Sequence, residues 1–512
     1  MRFNSPEFLA VFLPITWAVW FLLQRRGGPR MGAAWLTLAS LGFYAWWDWR
    51  FAPLLVLSLL VNFGLGRRLA HAAAPGRRAW LITGLAWNLG LLGFFKYWNF
   101  FAGNVNSVLP AALPVLKIVL PLGISFFTFQ KIAFLVDAWR GQVKNVRFGD
   151  FALFVMFFPQ LIAGPIVHHG EFIPQLQDAT RWRPDGRKLA LGLTLFAAGL
   201  FQKCIIADTL APLADSAFGL AAYGTRLRFI EAWVGVSAYG VQLLNDFAGY
   251  SHMALGLALL FGLRLPVNFL APYTAGSIIE FWRRWHLTLS AFLRDYVYIP
   301  LGGNRRGYRI QLLNLFLTMV LAGLWHGAGW TFVLWGTWHG VALCVNHLWR
   351  RRAGAAPEET DGAAPRWAHA LTLLAVFFGW VLFRAPDLLS ARLLGESLIG
   401  LHGITVPVAW SDWVNSLAPV VRARGLFPNL TVTPTALLML LAAGLLAVRG
   451  PLLLRFLGVS ADEVTPGPAS QDAALAPAGR PLHWSRAVCA GAMLALAIAA
   501  LARSSPFLYF QF

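Results

Sequence analysis

The sequence predicts an all-α polytopic membrane protein with re-entrant or interfacial helices among its spans, and three observations carry that prediction. Only 12% of the 512 residues are charged, while 58% are hydrophobic and 14% aromatic, whereas a soluble chain carries roughly 25% charged residues. So few charges cannot coat a water-facing surface of this size. Apolar runs recur from end to end, with a mean hydropathy of +0.60, so residues 1–512 are expected to form one membrane domain with its core near 80–350. Finally, the basic residues sit in short clusters between those runs.

Those clusters set a topology. The net charge of +20 comes from 42 Lys+Arg against 22 Asp+Glu. Such a balance points to nucleic acid only where the cations form a patch; none does, so nucleic acid is excluded as a partner. Arg25, Arg26 and Arg30 follow the first apolar run, and Arg67, Arg68, Arg77 and Arg78 follow the third. A helical hairpin over 33–66 puts both clusters on one side. The positive-inside rule makes that side cytoplasmic, with the N-terminus outside. The surplus charge therefore reads as topology and attraction to the lipid bilayer, with some left for an anionic cosubstrate.

A spanning helix needs about 20 apolar residues, fewer where it is short or re-entrant. Segments that meet this test lie near 8–24, 33–48, 52–66, 80–95, 112–136, 150–166, 188–206, 229–244, 251–263, 310–349 (two), 367–383, 435–449 and 486–502, or roughly 11 to 14 membrane segments. The first, Phe8 to Leu23, follows Glu7, precedes basic residues and shows no A-x-A cleavage site, so it reads as a transmembrane helix and not a signal peptide. Over 244–300 the runs are too short or too polar for ordinary spans, which marks re-entrant or interfacial structure. Less regular connectors are expected near 350–366, 403–434 and 455–485. Cys204, Cys344 and Cys489 show no CxxC spacing and an odd count, so neither disulfide nor metal site is expected. With no Gly-rich phosphate loop and no G-x-S-x-G elbow in a strand-helix context, any chemistry belongs inside the bundle.

From Ile310 to Trp349 no residue is formally charged, yet the stretch holds His326, His339 and His347. An ionisable residue in such a setting is a functional candidate by default, although a histidine that only hydrogen-bonds a neighbouring helix satisfies the same pattern. Gly323, Gly327 and Gly329 surround His326, allowing a ligand to approach the backbone or the helix to break. His339 has a similar but weaker context beside Trp338 and Gly340, and His347 lies at the basic, interfacial end. An imidazole in a low-dielectric interior stays neutral, the form that takes a proton from an attacking hydroxyl. His326 is thus the first candidate for a general base.

The second constellation is Glu280-Phe-Trp-Arg-Arg-Trp-His286-Leu-Thr-Leu-Ser-Ala-Phe-Leu-Arg294-Asp295-Tyr296. At helical period Trp282, Trp285, Leu289, Phe292 and Tyr296 form an apolar stripe, and Arg283, His286, Ser290 and Arg294 another face. That is an amphipathic, interfacial helix. Spacing alone leaves two readings: a cationic and aromatic membrane anchor, or a cationic face that borders the active site and holds the phosphates of an anionic cosubstrate. Asp137 and Asp208 read as ion-pairing or capping residues. Asp246 lies in the polar, Gly-containing run Asn245-Asp-Phe-Ala-Gly-Tyr-Ser-His252, which reads as a break where a carboxylate can orient a catalytic group. His168 and His169, between Gly164-Pro165 and Gly170, read as a turn, with no third metal ligand.

With these residues on the page, the chain resembles the membrane-bound O-acyltransferases, in their bacterial alginate O-acetylase branch. The matching runs are Gly93-Phe-Phe-Lys-Tyr-Trp-Asn-Phe-Phe101, Pro121-Leu-Gly-Ile-Ser-Phe-Phe-Thr-Phe-Gln130, Phe158-Pro-Gln-Leu-Ile-Ala-Gly-Pro165, Arg264-Leu-Pro-Val-Asn-Phe269, the Phe281 to Arg306 segment, Leu324-Trp-His-Gly327 and Phe507-Leu-Tyr-Phe-Gln-Phe512. The resemblance implies a funnel-shaped helical bundle with His326 as the essential residue and His286 as the second active-site histidine. Arg283, Arg284, Trp285 and Arg294 would border the acyl donor, acetyl-CoA, with Asp246, Trp325 and Gly327 in support and no metal. It further implies an enzyme of the bacterial inner membrane, with a periplasmic partner of the SGNH type passing acetyl groups to a polysaccharide such as alginate. Acylation of peptidoglycan or teichoic acid shares the same motifs, and a polymer-export scaffold is the non-enzymatic alternative. One departure stands out: relatives carry Asp-Phe-Ser-Gly-Tyr-Ser-Asp where this chain has Asp246-Phe-Ala-Gly-Tyr-Ser-His252. Any role tied to that second carboxylate is thereby in doubt.

Overall fold

A computed structural model describes residues 1–71, 76–109, 113–143, 146–178, 180, 182, 185–354, 364–406, 421–423, 427–450, 455, 457–459, 465–466, 484–503 and 505–508. In chain order the α-helices are α1 Leu13–Ala45, α2 Ala52–Ala70, α3 Arg77–Leu92, α4 Trp98–Asn106, α5 Ile124–Trp139, α6 Phe148–Met156, α7 Phe158–Leu161, α8 His169–Gln177, α9 Gly186–Phe201 and α10 Asp208–Ala222. They continue as α11 Phe229–Leu260, α12 Ile278–Trp282, α13 Leu287–Leu293, α14 Tyr308–His326, α15 Trp330–Arg352, α16 Arg366–Arg384, α17 Leu388–Leu398, α18 Pro434–Arg449 and α19 Trp484–Ala499. The expected connectors near 350–366, 403–434 and 455–485 lie largely outside the described residues. Within the second of them, Ile404–Val406 and Val421–Ala423 pair as two short parallel strands.

Two compact units interleave along the sequence. One comprises 1–201, 248–268 and 453–504, the other 202–247, 269–452 and 505–512. Among the described residues, six helical stretches are long and apolar enough to cross a membrane: Phe8–Ala45, Trp49–Ala70, Arg77–Asn106, Gly186–Ala222, Tyr308–His326 and Arg366–Arg384. Leu38, Leu60 and Leu317 on such helices are exposed, as suits hydrocarbon and not water. α18 and α19 are shorter apolar helices. α11 and α15, at 32 and 23 residues, fall outside the set of six because polar and imidazole side chains punctuate them.

In the first unit, the division between 8–24 and 33–48 appears within α1 at Gly28, whose φ of +77° only glycine adopts without strain. The 112–136 segment is not one span. Residues 113–121 run without regular structure and α5 starts only after Gly123 (φ +71°), because Pro114 and Pro121 cannot donate the helical hydrogen bonds. Side chains satisfy this irregular backbone: Asn106 exchanges hydrogen bonds with Leu113 (2.7 and 3.0 Å) and Asn99 with Leu116 (3.0 and 2.8 Å). The 150–166 segment likewise breaks, at Phe157, into α6 and the single turn α7. Asp137 makes the expected ion pairs, lying 3.8 Å from Arg140 and 3.3 Å from His169.

The expected break at Asn245–His252 is absent, since α11 is a continuous helix through it. The polar side chains there do not disrupt the helix because they find partners that leave its backbone intact; Asn245 donates to the Val241 carbonyl at 2.9 Å. In the second unit Asp246 Oδ1 lies 2.7 Å from Lys203 Nζ, which is also 2.8 Å from Asp208 Oδ1. Lys203 sits in the π-helical turn Gln202–Ala207, and all three side chains are nearly inaccessible. Two carboxylates on one ammonium leave a surplus of negative charge, which the C-terminal segment offsets: Ser505 Oγ donates to Asp208 Oδ1 (2.7 Å) and the Leu508 amide to Asp246 Oδ2 (2.9 Å). The Phe507 ring covers the ammonium at 5.0 Å.

Removing one member of a buried ion pair leaves the others uncompensated, at about 3–5 kcal/mol. Lys203→Met should therefore lower the thermal unfolding midpoint of the detergent-purified protein strongly and speed carboxypeptidase digestion from the C-terminus. Lys203→Met combined with Asp208→Asn and Asp246→Asn should recover most of that loss.

Candidate active site

The site lies in the second unit, where α14 and α15 form a tight hairpin. A Cβ on Gly323 would stand 2.9 Å from the Gly336 amide nitrogen, and one on Gly336 would stand 3.0 Å from Val320 Cα, so the two glycines let the backbones touch. The glycine-flanked turn ends α14 at His326, and Gly327 and Gly329 are extended before α15 starts at Trp330. The expected helix break at His326 is thus present. The hairpin lays the His326 ring against Trp335, with centroids 5.0 Å apart. Trp325 at 4.8 Å and Phe383 at 5.1 Å also pack against this imidazole, which is 5% exposed.

His286 reaches the same cluster from a different backbone. The segment expected as one amphipathic helix is broken: α12 ends at Trp282, α13 begins at Leu287, and a π-helical turn covers Arg294–Tyr298. The break is His286 itself, with φ +45° and ψ +55°, a left-handed conformation that costs an L-residue roughly 1–2 kcal/mol. Such strain persists only where the surroundings dictate it. Here the Leu270 amide donates to the Arg284 carbonyl at 2.9 Å, and the Phe247 ring packs edge-on at 4.8 Å from the imidazole. The expected face of Arg283, His286, Ser290 and Arg294 therefore does not exist: His286 is fully buried while Arg283 and Arg294 are exposed. His286 and His326 share Trp325, whose ring is 6.4 Å from the first and 4.8 Å from the second.

The residues expected to border an anionic donor separate by environment. Trp285 is buried between Phe269, Phe281 and Trp380, at 5.1, 5.6 and 4.9 Å, a core position and not an exposed face. Arg284 is tied to Glu280 (2.5 Å) and to Thr274 Oγ1 (2.7 Å), and Arg294 to its neighbour Asp295 (2.7 Å). Among the described residues no ion pair engages Arg283. Asp246, expected in support of the histidines, turns its carboxylate to Lys203 and the C-terminal segment. Its chain neighbour Phe247 is the residue that meets His286. Gly327 makes room for the Phe332 ring, which a Cβ at that position would strike.

The sequence passes over one residue and ranks another too low. Lys203 was hidden in an apolar run, although a lone lysine there is itself a signal. His339 was ranked below His326, yet it is fully buried in the same aromatic cluster, 4.9 Å from Trp335 and 5.2 Å from Trp282. Trp-His-Gly occurs twice, at 325–327 and 338–340, and that repetition is the signal. Among the described residues, neither ring nitrogen of His339 has a hydrogen-bond partner, nor has Nε1 of Trp282 or Trp335. Each such buried group costs about 1–3 kcal/mol. Trp380 in the same cluster is satisfied: its Nε1 donates to Tyr273 Oη (3.1 Å), which donates to the Gly240 carbonyl (2.7 Å). Among the described residues no group of His, Cys, Asp and Glu is arranged to hold a metal.

Comparison with known proteins gives this arrangement its context. A model of the membrane-bound O-acyltransferase family matches residues 122–384, a span that includes both candidate histidines and His339. The chain is 42% identical to the peptidoglycan O-acetyltransferase of Helicobacter pylori, over 79% of this chain and 81% of the relative. It is 37% identical to a probable alginate O-acetylase of Pseudomonas putida over 100% of both. A teichoic acid D-alanyltransferase of Bacillus subtilis is 27% identical over 51% of this chain and 68% of its own. The export-scaffold alternative falls with these matches. The chain is a multi-pass membrane enzyme belonging to the membrane-bound O-acyltransferase family.

Proposed function

We propose that this enzyme takes an acetyl group from cytoplasmic acetyl-CoA and passes it across the inner membrane for O-acetylation of an extracellular or periplasmic polysaccharide, through a periplasmic partner of the SGNH type. The observation that carries the reading is the placement of His326 at a glycine-lined helix break, walled by Trp325, Trp335 and Phe383. A neutral imidazole there is suited to general-base catalysis in a site from which water is excluded. His326 takes the proton of an acceptor hydroxyl while that oxygen attacks the thioester carbonyl. The carbon–sulfur bond then breaks, and the departing CoA thiolate recovers the proton as a thiol. His286, linked to His326 through Trp325, positions the acceptor. Arg283, exposed and with no ion pair among the described residues, meets the phosphates of CoA.

The polymer reading draws on the relatives, of which one is named for alginate and another for peptidoglycan. Full-length coverage of the alginate-type relative favours an exopolysaccharide, and the higher identity to the peptidoglycan-type relative keeps the cell wall as the second reading. Deleting the gene should remove acetyl esters from one of these polymers and leave the other unchanged, as measured by ester release under mild base. An acetyl content unchanged in both would reject the assignment.

Purified His326→Ala should elute as the wild type does from size exclusion yet lose acetyl-CoA consumption by at least about 100-fold, the scale of general-base catalysis. Full turnover by that variant would remove His326 from the mechanism. Arg283→Ala should raise KM for acetyl-CoA about tenfold with little change in kcat, because a charge-assisted hydrogen bond contributes about 1.5–3 kcal/mol. Steady-state kinetics in detergent measure both.

A further inference from the structure

The second Trp-His-Gly run places His339 in a box of rings: Trp335 at 4.9 Å, Trp282 at 5.2 Å, Phe281 stacked at 6.2 Å and Trp380 at 6.4 Å. Trp282 and Trp335 also meet each other at 5.7 Å, so these two indoles and the His339 imidazole are mutually in contact. The imidazole edge faces Gly379, where a Cβ would stand only 2.7 Å from Nε2. The hydrogen-bonding groups of His339, Trp282 and Trp335 have no partner among the described residues, and polar groups buried in this state in a native structure call for a role. Their chemistry is lopsided. An indole N–H only donates, and a neutral imidazole has one donor and one acceptor, so the box offers three donors against one acceptor. Its complement is an acceptor oxygen on a small apolar group.

We propose that His339, Trp282 and Trp335 seat the carbonyl oxygen of the acyl group that is transferred. This rests on the acyl-thioester reading above. Trp335 touches both imidazoles, at 5.0 Å from His326 and 4.9 Å from His339, so the seat adjoins the proposed base. As the hydroxyl oxygen attacks, the carbonyl π pair moves onto this oxygen, and the three N–H groups stabilise the resulting anion before the carbon–sulfur bond breaks. Donors already fixed by packing act on such charge without reorganising. The aromatic walls accommodate the methyl end of the acyl group.

The test uses two unreactive probes with full-length protein in detergent: the ketone analogue of acetyl-CoA, in which a methylene replaces the thioester sulfur, and S-ethyl-CoA, which lacks the carbonyl oxygen. Calorimetry on the wild type should give a Kd for the ketone about tenfold lower than for S-ethyl-CoA, one hydrogen-bond set's worth of discrimination. His339→Phe, Trp282→Phe and Trp335→Phe each keep a ring and remove the polar nitrogen. Each should bring the ratio toward one with the Kd for S-ethyl-CoA unchanged, and should lower kcat more than it raises KM. A ratio preserved in all three variants, or both analogues weakened alike, overturns the carbonyl seat while the donor assignment stands. If neither analogue binds the wild type, the donor assignment falls and the seat with it.

Discussion

In hydrocarbon, a backbone amide or carbonyl that lacks a partner costs several kcal/mol, because no water is present to replace it. That constraint explains why the described chain is helical almost throughout and why its exceptions are so closely managed. Residues 113–121 leave the helical pattern, and two asparagine side chains from α4 bond their backbone in pairs. The turn between α14 and α15 consists of extended glycines short enough to close with a single hydrogen bond, from the Gly329 amide to the Gly327 carbonyl at 3.0 Å. At His286 the helix gives way to a left-handed residue, and the neighbouring strand-like segment takes up a released carbonyl through Leu270. Each departure from helix is thus matched by a specific partner. Two of the three departures deliver a histidine to the site.

The same logic applies to charge. Lys203 holds Asp208 and Asp246, and the terminal segment contributes a hydroxyl and an amide to the carboxylates that one ammonium cannot satisfy. The cluster matters beyond its own stability because Asp246 and Phe247 are consecutive on α11. The carboxylate is pinned to the ion cluster, so the helix is fixed in rotation at the turn where Phe247 presents its edge to His286. A packing contact on the imidazole thereby inherits the rigidity of a buried ion pair. Asp246 thus bears on the candidate site through the helix, while its own carboxylate faces Lys203 and the Leu508 amide.

Much of this was legible in the sequence, for reasons that also account for the failures. Uninterrupted apolar length reports burial in lipid directly, which is why α2, α3, α14 and α16 lie where the runs place them. Glycine reports where backbone must bend or approach, so the break at His326 could be read from Gly323, Gly327 and Gly329. Periodicity failed over 282–296 because the positive φ of His286 is imposed by contacts with Phe247 and the Leu270 segment, neither of which is local. The polar run at Asn245–His252 looked like a break because its partners, Lys203 and Leu508, are distant in sequence. The pairing of Arg284 with Glu280 and of Arg294 with Asp295 joins residues four apart and adjacent in the sequence, so that signal was local and legible.

The tryptophan-rich character of the cluster then takes on a physical meaning. Aliphatic side chains would bury an imidazole equally well, but they would neither fix its plane nor offer it polar company. Edge-on contacts between rings 4.8–5.2 Å apart orient His326 and His339 by the preference of aromatic faces for positive edges. The indoles add N–H groups, of which those of Trp282 and Trp335 have no acceptor among the described residues. A membrane enzyme must keep its reacting groups dry and still bind a polar, reactive carbonyl. A cage of indoles meets both demands, since its surface is apolar everywhere except at a few donors. Selection for stability alone would have filled this volume with leucine, which leaves no donor unpaired. Several nitrogens in this small, tightly packed volume have no partner among the described residues, a cost that packing for stability alone would not leave in place.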